Sequence, residues 1–355
     1  MRPVRMFAAT GDAVARIDVR ADDVVDVAIM LQGSGAQFVA VDPRDPRRVV
    51  AGTYGAGALL SRDAGATWRP LSSSLSARRV MSVAIAGARI VDGLSSIYAG
   101  SAPSHLYRSD DDGETWHRLR AFDALVATEG DDVTNPAAGA STASVQRWRS
   151  RAAEARVWVS HVSAILPHST DPLRLLAGVE IGGVIVTSDG GATWRGPARG
   201  CYHDVHVLVA HPDFPERVYE AAGGGVAVSD DGGERWQSLD DGLDQRYVWS
   251  AAVDSGDPGC CYVSTSHSHV EAHRRDGRAD ACIYRHRAGG PWQPINGPIA
   301  DPLPYLASGL AAPRGQAGVL LAAMQDGAFW ATEDQGETWR PLRGRVPGVV
   351  ALVEA

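Results

Sequence analysis

The histidines of this chain are concentrated in its central part. Those at positions 161, 203, 206, 211, 267, 269 and 273 make up seven of the eleven. Neutral imidazoles and carboxylates bind first-row transition metals, and they also serve as general acids and bases. The sequence therefore offers a candidate site for a divalent first-row transition metal, with His161, His206, His273 and Glu180, or Asp204, as ligands. Acid–base catalysis, substrate binding and structural hydrogen bonding are the other interpretations of these residues.

A second group of acidic residues lies in an eight-residue stretch that recurs along the chain. It reads SDDDGETW from Ser109, and it recurs as SRDAGATW from Ser61, TSDGGATW from Thr187, SDDGGERW from Ser229 and TEDQGETW from Thr332, with an eroded copy, RHRAGGPW, from Arg285. The Asp at the third position can accept backbone N–H groups of its own turn, while the Gly supplies a positive φ angle. We therefore interpret Asp63, Asp111, Asp189, Asp231 and Asp334 as turn residues rather than as an active site.

The repeat also predicts the fold. The tryptophans that end the copies are 48, 78, 42, 56 and 47 residues apart. A period of about 40 to 50 residues is typical of four-stranded propeller blades. Short apolar runs separated by Pro/Asp and Gly-rich turns precede each copy and indicate an all-β chain. The stretch resembles the Asp-box, or bacterial neuraminidase repeat, of sialidase-like and photosystem-assembly-type β-propellers. The resemblance covers nearly the whole chain and implies a propeller fold, but it implies little about function.

Both ends of the chain are needed to complete the ring. Six copies of the repeat mark six blades, and the N-terminal residues look like three strands of a seventh blade that lacks its innermost strand. The apolar stretch GVVALVEA, residues 348–355, has no blade of its own. We therefore predict an all-β, seven-bladed β-propeller of four-stranded blades, a single domain over residues 1–355. Its ring is closed by residues 348–355 pairing beside residues 6–10, which removes an exposed sheet edge.

The strand order within a blade predicts where functional side chains meet. The innermost strands of a propeller all begin on the face opposite the Asp boxes, so their first residues surround one mouth of the central channel. Alignment of the repeats places Gly35, Arg79, His161, Asp204, Tyr247 and Tyr305 at the first mouth position, and Gln37, Met81, Ser163, His206, Trp249 and Ala307 two residues further. The turns between second and third strands add Tyr54, Glu180, Gln325 and, in an expanded turn, His273.

These mouth positions are rich in polar, aromatic and titratable side chains, whereas a packed strand would be apolar there. We therefore predict a polar pocket above an apolar channel. Its candidate catalytic residues are His161, Glu180, Asp204, His206 and Tyr247. Its candidate ligand-binding residues are Gln37, Tyr54, Arg79, Trp249, Tyr305 and Gln325.

One segment does not fit the repeat. Residues 120–157 are polar and rich in Pro, Gly and Ser in their first half, and their second half is compatible with a short helix capped near Ser141 or Thr142. A long insertion between blades is typical of a lid or of a disordered spacer. Because the segment directly precedes His161, we predict a lid over the mouth.

Composition limits the class of protein. The 355 residues include 39 Gly and 20 Pro with 45% hydrophobic residues, which fits a soluble, turn-rich β protein without a membrane span. The formal net charge of −8 counts against a nucleic-acid partner. The N-terminus lacks a signal-peptide core, and the four cysteines are interpreted as reduced thiols of a cytoplasmic protein. We expect a monomer or weak oligomer whose partner is a small molecule at the central mouth.

Three functions from different classes are compatible with this mouth. The resemblance to sialidases implies three arginines that grip a carboxylate, but the mouth offers only Arg79 and Arg246, and the Arg-Ile-Pro phrase of that family is missing. Sialidase-type hydrolysis is therefore disfavoured. We favour a small-molecule enzyme, a hydrolase or lyase that a metal could assist, or a ligand-binding protein. A non-catalytic scaffold, similar to the photosystem-assembly propellers, is the alternative.

Overall fold

The strands form seven antiparallel sheets arranged around a central axis, as the repeats predict. The structure is a computed structural model that describes residues 1–71, 74–126, 160–346 and 348–355. Each sheet is one blade, and the innermost strand of each blade contacts the innermost strands of its two neighbours, so that seven strands surround the axis.

The blades follow one another in chain order. Blade 1 contains β1 (Val4–Ala9), β2 (Val14–Val19) and β3 (Val25–Met30), and blade 2 contains β4 (Ala36–Asp42), β5 (Asp45–Thr53), β6 (Ala58–Ser61) and β7 (Arg69–Pro70). Blade 3 contains β8 (Val80–Val91), β9 (Leu94–Ser101), β10 (Leu106–Ser109) and β11 (His117–Arg118), and the single-turn helix α1 (Arg120–Asp123) follows it. Blade 4 contains β12 (Val162–Pro167), β13 (Leu175–Val179) and β14 (Gly183–Thr187).

The remaining elements complete the ring. Blade 5 contains β15 (Val205–His211), β16 (Phe214–Ala222), β17 (Gly225–Ser229) and β18 (Gln237–Ser238). Blade 6 contains β19 (Tyr247–Val253), β20 (Cys260–Ser266), the single-turn helix α2 (His269–Ala272), β21 (Cys282–Arg287) and β22 (Gln293–Pro294). Blade 7 contains β23 (Ala307–Ala311), β24 (Leu320–Met324), β25 (Ala328–Thr332) and β26 (Arg340–Arg345), and β27 (Ala351–Glu354) ends the chain.

The C-terminal strand closes the ring. Strand β27 pairs antiparallel with β1, with Met6 opposite Glu354 and Ala9 opposite Ala351. It thereby becomes the innermost strand of blade 1, in the sheet order β27-β1-β2-β3. The predicted closure by residues 348–355 is confirmed, because β27 pairs with the edge of β1 that would otherwise face the axis.

Blade 4 differs from the predicted four strands. Its sheet has three strands, and the fourth is reduced to an isolated bridge between Val186 and Arg195. Two residues after Arg195, Pro197 has no N–H to donate to the ladder, so a regular strand cannot continue there. The other six blades have the predicted four strands.

Close packing between blades explains the composition of the middle strands. Strands β13 and β24 are buried along their whole length because a neighbouring blade covers each face of their sheet. A Cβ atom on Gly100 or Gly178, which occupy equivalent places in blades 3 and 4, would lie 2.6 Å from the side chain of Val162 or Val205 on the next innermost strand. Only Gly at these positions allows adjacent blades to approach so closely.

The recurring acidic stretch is a stapled turn. In all five intact copies the Asp Oδ1 accepts the backbone N–H four residues later, at 2.8 to 2.9 Å. The opening Ser or Thr donates to the same carboxylate, and its oxygen accepts the N–H of the box Gly at 2.8 to 3.0 Å. The hydroxyls of Thr67 and Thr193 are the largest cause that holds the pKa of Asp63 and of Asp189 at about 2. The interpretation of these carboxylates as turn residues is confirmed.

The other aspartates of SDDDGETW form hydrogen bonds with neighbouring side chains. The buried Asp112 accepts hydrogen bonds from Arg48 (2.7 Å) and from Arg62, and Arg48 also binds Asp42 at 2.8 Å. Because Arg48 belongs to blade 2 and Asp112 to blade 3, this buried ion network joins the two blades. Asp110 in turn accepts from the Ser96 hydroxyl.

The insertion is described only at its beginning. Residues 120–126 contain α1 and the buried Phe122, whose ring packs edge-on against Trp194 at 5.1 Å between centroids. The predicted helix near Ser141 and Thr142, and most of the predicted lid, lie outside the described residues. The lid therefore stays a prediction. Elsewhere, the four cysteines carry free thiols, and no helix among the described residues is long and apolar enough to cross a membrane.

Glu220 is a carboxyl group buried inside blade 5. Its Oε2 accepts the backbone N–H of Tyr202 at 3.0 Å, whereas Oε1 has no hydrogen-bond partner among the described residues. Burial raises the pKa of Glu220 to about 8, and the Tyr202 N–H offsets this only in part. The carboxyl group is therefore mostly protonated in the folded protein at neutral pH.

Replacing Asp231 by Ala is expected to lower the free energy of unfolding by on the order of 1 to 2 kcal/mol, because the Arg235 N–H and the Ser229 hydroxyl lose their acceptor. Asp230→Ala is the matched control, since this neighbour is 69% exposed and pairs with Arg217 at the surface, where an ion pair contributes little. Urea unfolding followed by tryptophan fluorescence measures both. Equal destabilisation by the two substitutions would contradict the structural role of the box aspartate.

Glu220 predicts a pH dependence of stability with a definite sign. The unfolded chain ionises this group near its ordinary pKa of 4.5, whereas the folded chain holds it neutral up to about 8. The contribution of neutral Glu220 to the stability of the folded state is thus fully present below pH 4.5 and is lost as the pH rises toward 8. Glu220→Gln should match the wild type at acid pH and become progressively more stable than it toward pH 8. Thermal melting across this range tests the expectation, with the exposed Glu216→Gln on the same strand as control. If the melting temperatures of wild type and Glu220→Gln change in parallel with pH, Glu220 does not have the raised pKa in the folded protein.

Candidate functional site

Side chains from blades 4, 5 and 6 meet at the channel mouth opposite the Asp boxes. We call them the mouth cluster, and they are His161 and Glu180 of blade 4, Asp204 and His206 of blade 5, and Tyr247, Trp249 and His273 of blade 6. All were named from the sequence. Apart from His273, which ends α2, each lies at the start of an innermost strand or directly after a second strand. The common direction of the innermost strands therefore gathers them at one face.

The backbone places two carboxylates side by side. Residues Glu180 and Asp204 form an isolated antiparallel bridge between blades 4 and 5. The N–H of Glu180 also donates to the carbonyl of His161 at 3.0 Å, which fixes the turn after β13 against the start of β12. The two acidic side chains therefore project from partner positions of one short bridge.

The polar core of the cluster consists of two carboxylate–imidazole pairs. Nδ1 of His161 lies 2.9 Å from Oε2 of Glu180, and Nε2 of His206 lies 3.7 Å from Oδ2 of Asp204. One ligand atom each from Glu180, Asp204 and His206 lies within 4.8 Å of the other two. Three donors of metal-ligating type therefore converge on one point.

A backbone contact fixes the orientation of the His206 ring. Its Nδ1 lies 2.6 Å from the carbonyl oxygen of Val248, which can only accept a hydrogen bond, so Nδ1 carries the proton. In the neutral imidazole, the lone pair is then on Nε2, which is the nitrogen that faces Asp204. This arrangement is common among metal-binding histidines, whose second nitrogen is held by a carbonyl or carboxylate.

The surroundings of Asp204 disfavour the ionised form of its carboxylate. Its Oδ1 is buried and has no hydrogen-bond partner among the described residues. Burial raises the pKa of Asp204, the negative charge of Glu180 raises it further, and His206 opposes the increase. A cation at this point would relieve both the desolvation of Asp204 and its repulsion by Glu180.

Aromatic rings form one wall beside this polar core. The rings of Tyr247 and Trp249 are near parallel, with centroids 6.3 Å apart, and His206 lies about equally far from both, at 5.0 and 5.2 Å. Burial, together with the charges of Asp204 and Glu180, raises the pKa of Tyr247 well above its usual range, so its phenol stays protonated. Its hydroxyl can then donate to Nε2 of His273, 3.2 Å away.

His269 belongs to the same wall, although it is not among the predicted site residues. Its ring lies 4.8 Å from that of His273 and 5.9 Å from that of Tyr247. The signal is present in the sequence, since His269-Val-Glu-Ala-His273 has the spacing that puts two residues on one face of a helical turn. Burial first, and then the neighbouring His269 and His206, lower the pKa of His273 to about 4. His273 is therefore neutral at physiological pH.

The structure regroups the predicted metal ligands. Asp204, which the sequence offered as an alternative, lies with Glu180 and His206, whereas His273 packs on Trp249 at 4.6 Å between ring centroids. His161 is bonded to Glu180 and so stands beside the converging donors.

Five other predicted ligand-binding residues have different neighbours. The guanidinium of Arg79 lies over the ring of Tyr54 at 5.3 Å, and Gln37 donates to the carbonyl of its own neighbour Gly35. The remaining two are Tyr305, near Gly277 of the expanded turn, and Gln325, whose Oε1 is buried without a partner among the described residues. No hydrogen bond or ring contact joins these five to the mouth cluster within the described ranges, so their role in binding stays a prediction.

Replacing His269 by Ala should raise the pKa of His273 from about 4 toward its ordinary value, because a like-charged neighbour is removed. The increase should be partial, since burial is the larger cause. NMR titration of the histidine Cε1–H resonances measures it. His267→Ala is the control, because this half-exposed histidine pairs instead with Asp280 at 3.2 Å. A His273 resonance that titrates alike in wild type and both variants would refute this account of the wall.

Comparison with known proteins supports the fold and the repeat. The family model for the BNR/Asp-box repeat matches residues 107–118, and no curated protein matches the chain. An ancestral GH74 enzyme is similar in structure, with 15% identity and a TM-score of 0.62 over 88% of this chain and 39% of that one. The GH74 xyloglucanase from Xanthomonas campestris is 18% identical, with a TM-score of 0.57 over 86% and 45%. YCF48 from Cyanidioschyzon merolae is 13% identical, with a TM-score of 0.56 over 87% and 86%.

At these identities the similarity concerns the fold alone. The chain spans less than half the length of the two GH74 proteins but nearly the length of YCF48. The stapled turns, the seven blades and the family match agree with one another. The chain is a seven-bladed β-propeller built from BNR/Asp-box repeats.

Proposed function

We propose that the mouth cluster binds one divalent first-row transition metal through Glu180, Asp204 and His206, and that the chain acts with it on a small polar molecule as a hydrolase or lyase. The observation that carries this proposal is the convergence of the three donors within 4.8 Å. Two carboxylates and one imidazole match the ligand types that such ions bind.

Electrostatics favours a cation at this point. Two adjacent, partly buried carboxylates repel each other when both are ionised. Burial raises the pKa of Asp204, and the charge of Glu180 raises it further. A divalent ion would neutralise both charges.

The neighbouring side chains suit such a site. His161 holds the carboxylate of Glu180 in place, and the Val248 carbonyl holds the ring of His206, which are the roles of residues that support metal ligands. Three protein ligands leave coordination positions for water or substrate, as in catalytic rather than structural sites. A metal in that setting supplies Lewis-acid polarisation and a more acidic bound water.

The aromatic wall offers a binding surface for the substrate. Tyr247 and Trp249 offer apolar faces, while the Tyr247 hydroxyl and the neutral His273 offer hydrogen bonds. Neutral His273 neither repels the cation nor adds a charge to the pocket. The wall therefore fits a small molecule that has an apolar face and polar groups directed toward the carboxylates.

A second candidate is metal-free glycoside hydrolysis by the same carboxylate pair. Asp204, with its raised pKa, would be the acid and Glu180 the nucleophile, and the oxygens within 4.8 Å come near the separation of about 5 Å that retaining enzymes use. Two similar structures are GH74 enzymes, one of them a xyloglucanase. Dependence of activity on metal distinguishes this candidate from the first.

Metal analysis of the purified protein, followed by calorimetric titration of the chelator-treated protein with Zn²⁺, Mn²⁺ and Ni²⁺, tests the proposal. We expect one equivalent of one of these ions to bind. Asp204→Asn and His206→Ala should weaken its affinity at least about tenfold, since each removes a ligand or its charge. His117→Ala, an exposed histidine on β11, is the control and should bind as the wild type does.

Two results would overturn the metal proposal. One is the absence of binding by any of the three ions to the wild type. The other is equal affinity in wild type, Asp204→Asn and His206→Ala with all three folded, as judged by circular dichroism. Loss of xyloglucan-oligosaccharide hydrolysis in Asp204→Asn without metal binding would favour the glycosidase, and the absence of both activities would favour a non-catalytic scaffold.

A further inference from the structure

A cavity of about 510 Å³ opens at the other end of the channel, on the face that carries the Asp boxes. We call it the box-face cavity. Its floor is formed by Val41, Leu166 and Ala210, each next to the last residue of its innermost strand in blades 2, 4 and 5, and by Ile85 in the middle of β8 in blade 3. The volume falls in the range of small-molecule sites, about 300 to 1,000 Å³. The repeat pattern predicts a pocket only at the opposite mouth and gives no indication of this cavity.

Part of the lining of the box-face cavity is apolar. Blade 4 contributes Leu175, Leu176 and Val186, and blade 5 contributes Val218. Leu173 and Phe214, which flank lining residues in the chain, are 46% and 54% exposed. These apolar side chains favour a ligand that has an apolar body.

Two arginines in this cavity are available to a ligand. Among the described residues, Arg44 and Arg314 bind carboxylates only through their backbone N–H groups, to Asp42 at 2.9 Å and to Glu354 at 2.8 Å. Both arginines are exposed, and they come from blades 2 and 7. The structure thus places two guanidinium groups at the mouth of this cavity.

The other titratable groups that line the cavity are mostly engaged. Arg174 pairs with Glu216 at 2.6 Å. His168 accepts the N–H of Asp171 at 3.0 Å, and His211 donates to the carbonyl of Ser255 at 3.1 Å, so both histidines hold turns. Asp213 is the one acidic residue of the lining. The carboxylates of Asp42 and Glu354 lie outside the lining, at the backbone N–H groups of the two arginines.

We propose that the box-face cavity binds a small organic monocarboxylate with an apolar body, its carboxylate held by Arg44 and Arg314 and its body between blades 4 and 5. Guanidinium forks form charge-assisted hydrogen bonds with carboxylates. The apolar body accounts for the leucine and valine side chains of the lining, and the carboxylate accounts for the two arginines. This inference does not depend on the proposed metal site, which lies at the opposite end of the channel.

Calorimetric titration of the full chain with octanoate tests the proposal, with hexanoate and decanoate to vary the apolar body and octanol as the uncharged analogue. Octanoate should bind at one site, more tightly than hexanoate and much more tightly than octanol, and added salt should weaken it. Arg44→Ala and Arg314→Ala should each raise its dissociation constant about tenfold, the effect of losing one charge-assisted hydrogen bond. Ala210→Phe, which fills the floor, should abolish binding.

Matched variants separate this result from other causes. Arg78→Ala removes an exposed arginine on the opposite face and should bind octanoate as the wild type does. His206→Ala should also bind normally, so that a failure of the metal proposal leaves this test unaffected. The proposal would be overturned if octanoate did not saturate the wild type, if octanol bound equally well, or if the folded double variant of Arg44 and Arg314 kept wild-type affinity.

Discussion

The common direction of the seven innermost strands is the constraint on which the rest of this structure depends. Each of these strands starts on one face of the ring and ends on the other, and each contacts its two neighbours around the axis. A residue at the start of one strand is therefore near the starts of the adjacent strands, however far apart they are in the chain. Asp204 and Tyr247 meet in this way across 43 positions of sequence, because Asp204 directly precedes β15 and Tyr247 begins β19.

The parts of the fold that the sequence predicts are those whose contacts are local or repeated. The carboxylate of Asp231 binds groups at most four residues away, so the eight-residue stretch contains the whole interaction. Closure by β27 was predictable because an apolar strand and an incomplete blade remained at opposite ends of the chain. The missing fourth strand of blade 4 was not predicted, since the repeat pattern gives no weight to Pro197, whose effect is the loss of a single N–H.

The sequence predicts which strands carry the residues of the candidate site, but not which of their side chains contact one another. Alignment names the residues at the mouth, but whether Asp204 or His273 shares a point with Glu180 depends on the path of the turn that carries α2, which has no counterpart in other blades. The box-face cavity is not predictable from the residue types or the alignment of the repeats. Its apolar lining residues are strand residues like any others, and a cavity is a property of how blades diverge rather than of residue type.

The two proposed sites lie at opposite ends of the channel and differ in the sign of the charge that each would bind. At one mouth, Glu180 and Asp204 present two carboxylates to a single point, whereas at the other Arg44 and Arg314 line a cavity whose one acidic lining residue is Asp213. The seven residues of β15 separate these ends by about 20 Å, at roughly 3.3 Å per residue. Two unit charges about 20 Å apart interact by only about 0.2 kcal/mol in water and about 0.8 kcal/mol at an effective dielectric constant of about 20, so a charge bound at one end changes the potential at the other only modestly. The same ring of strands can therefore carry the two proposed sites, one for a cation and one for an anion, without either weakening the other.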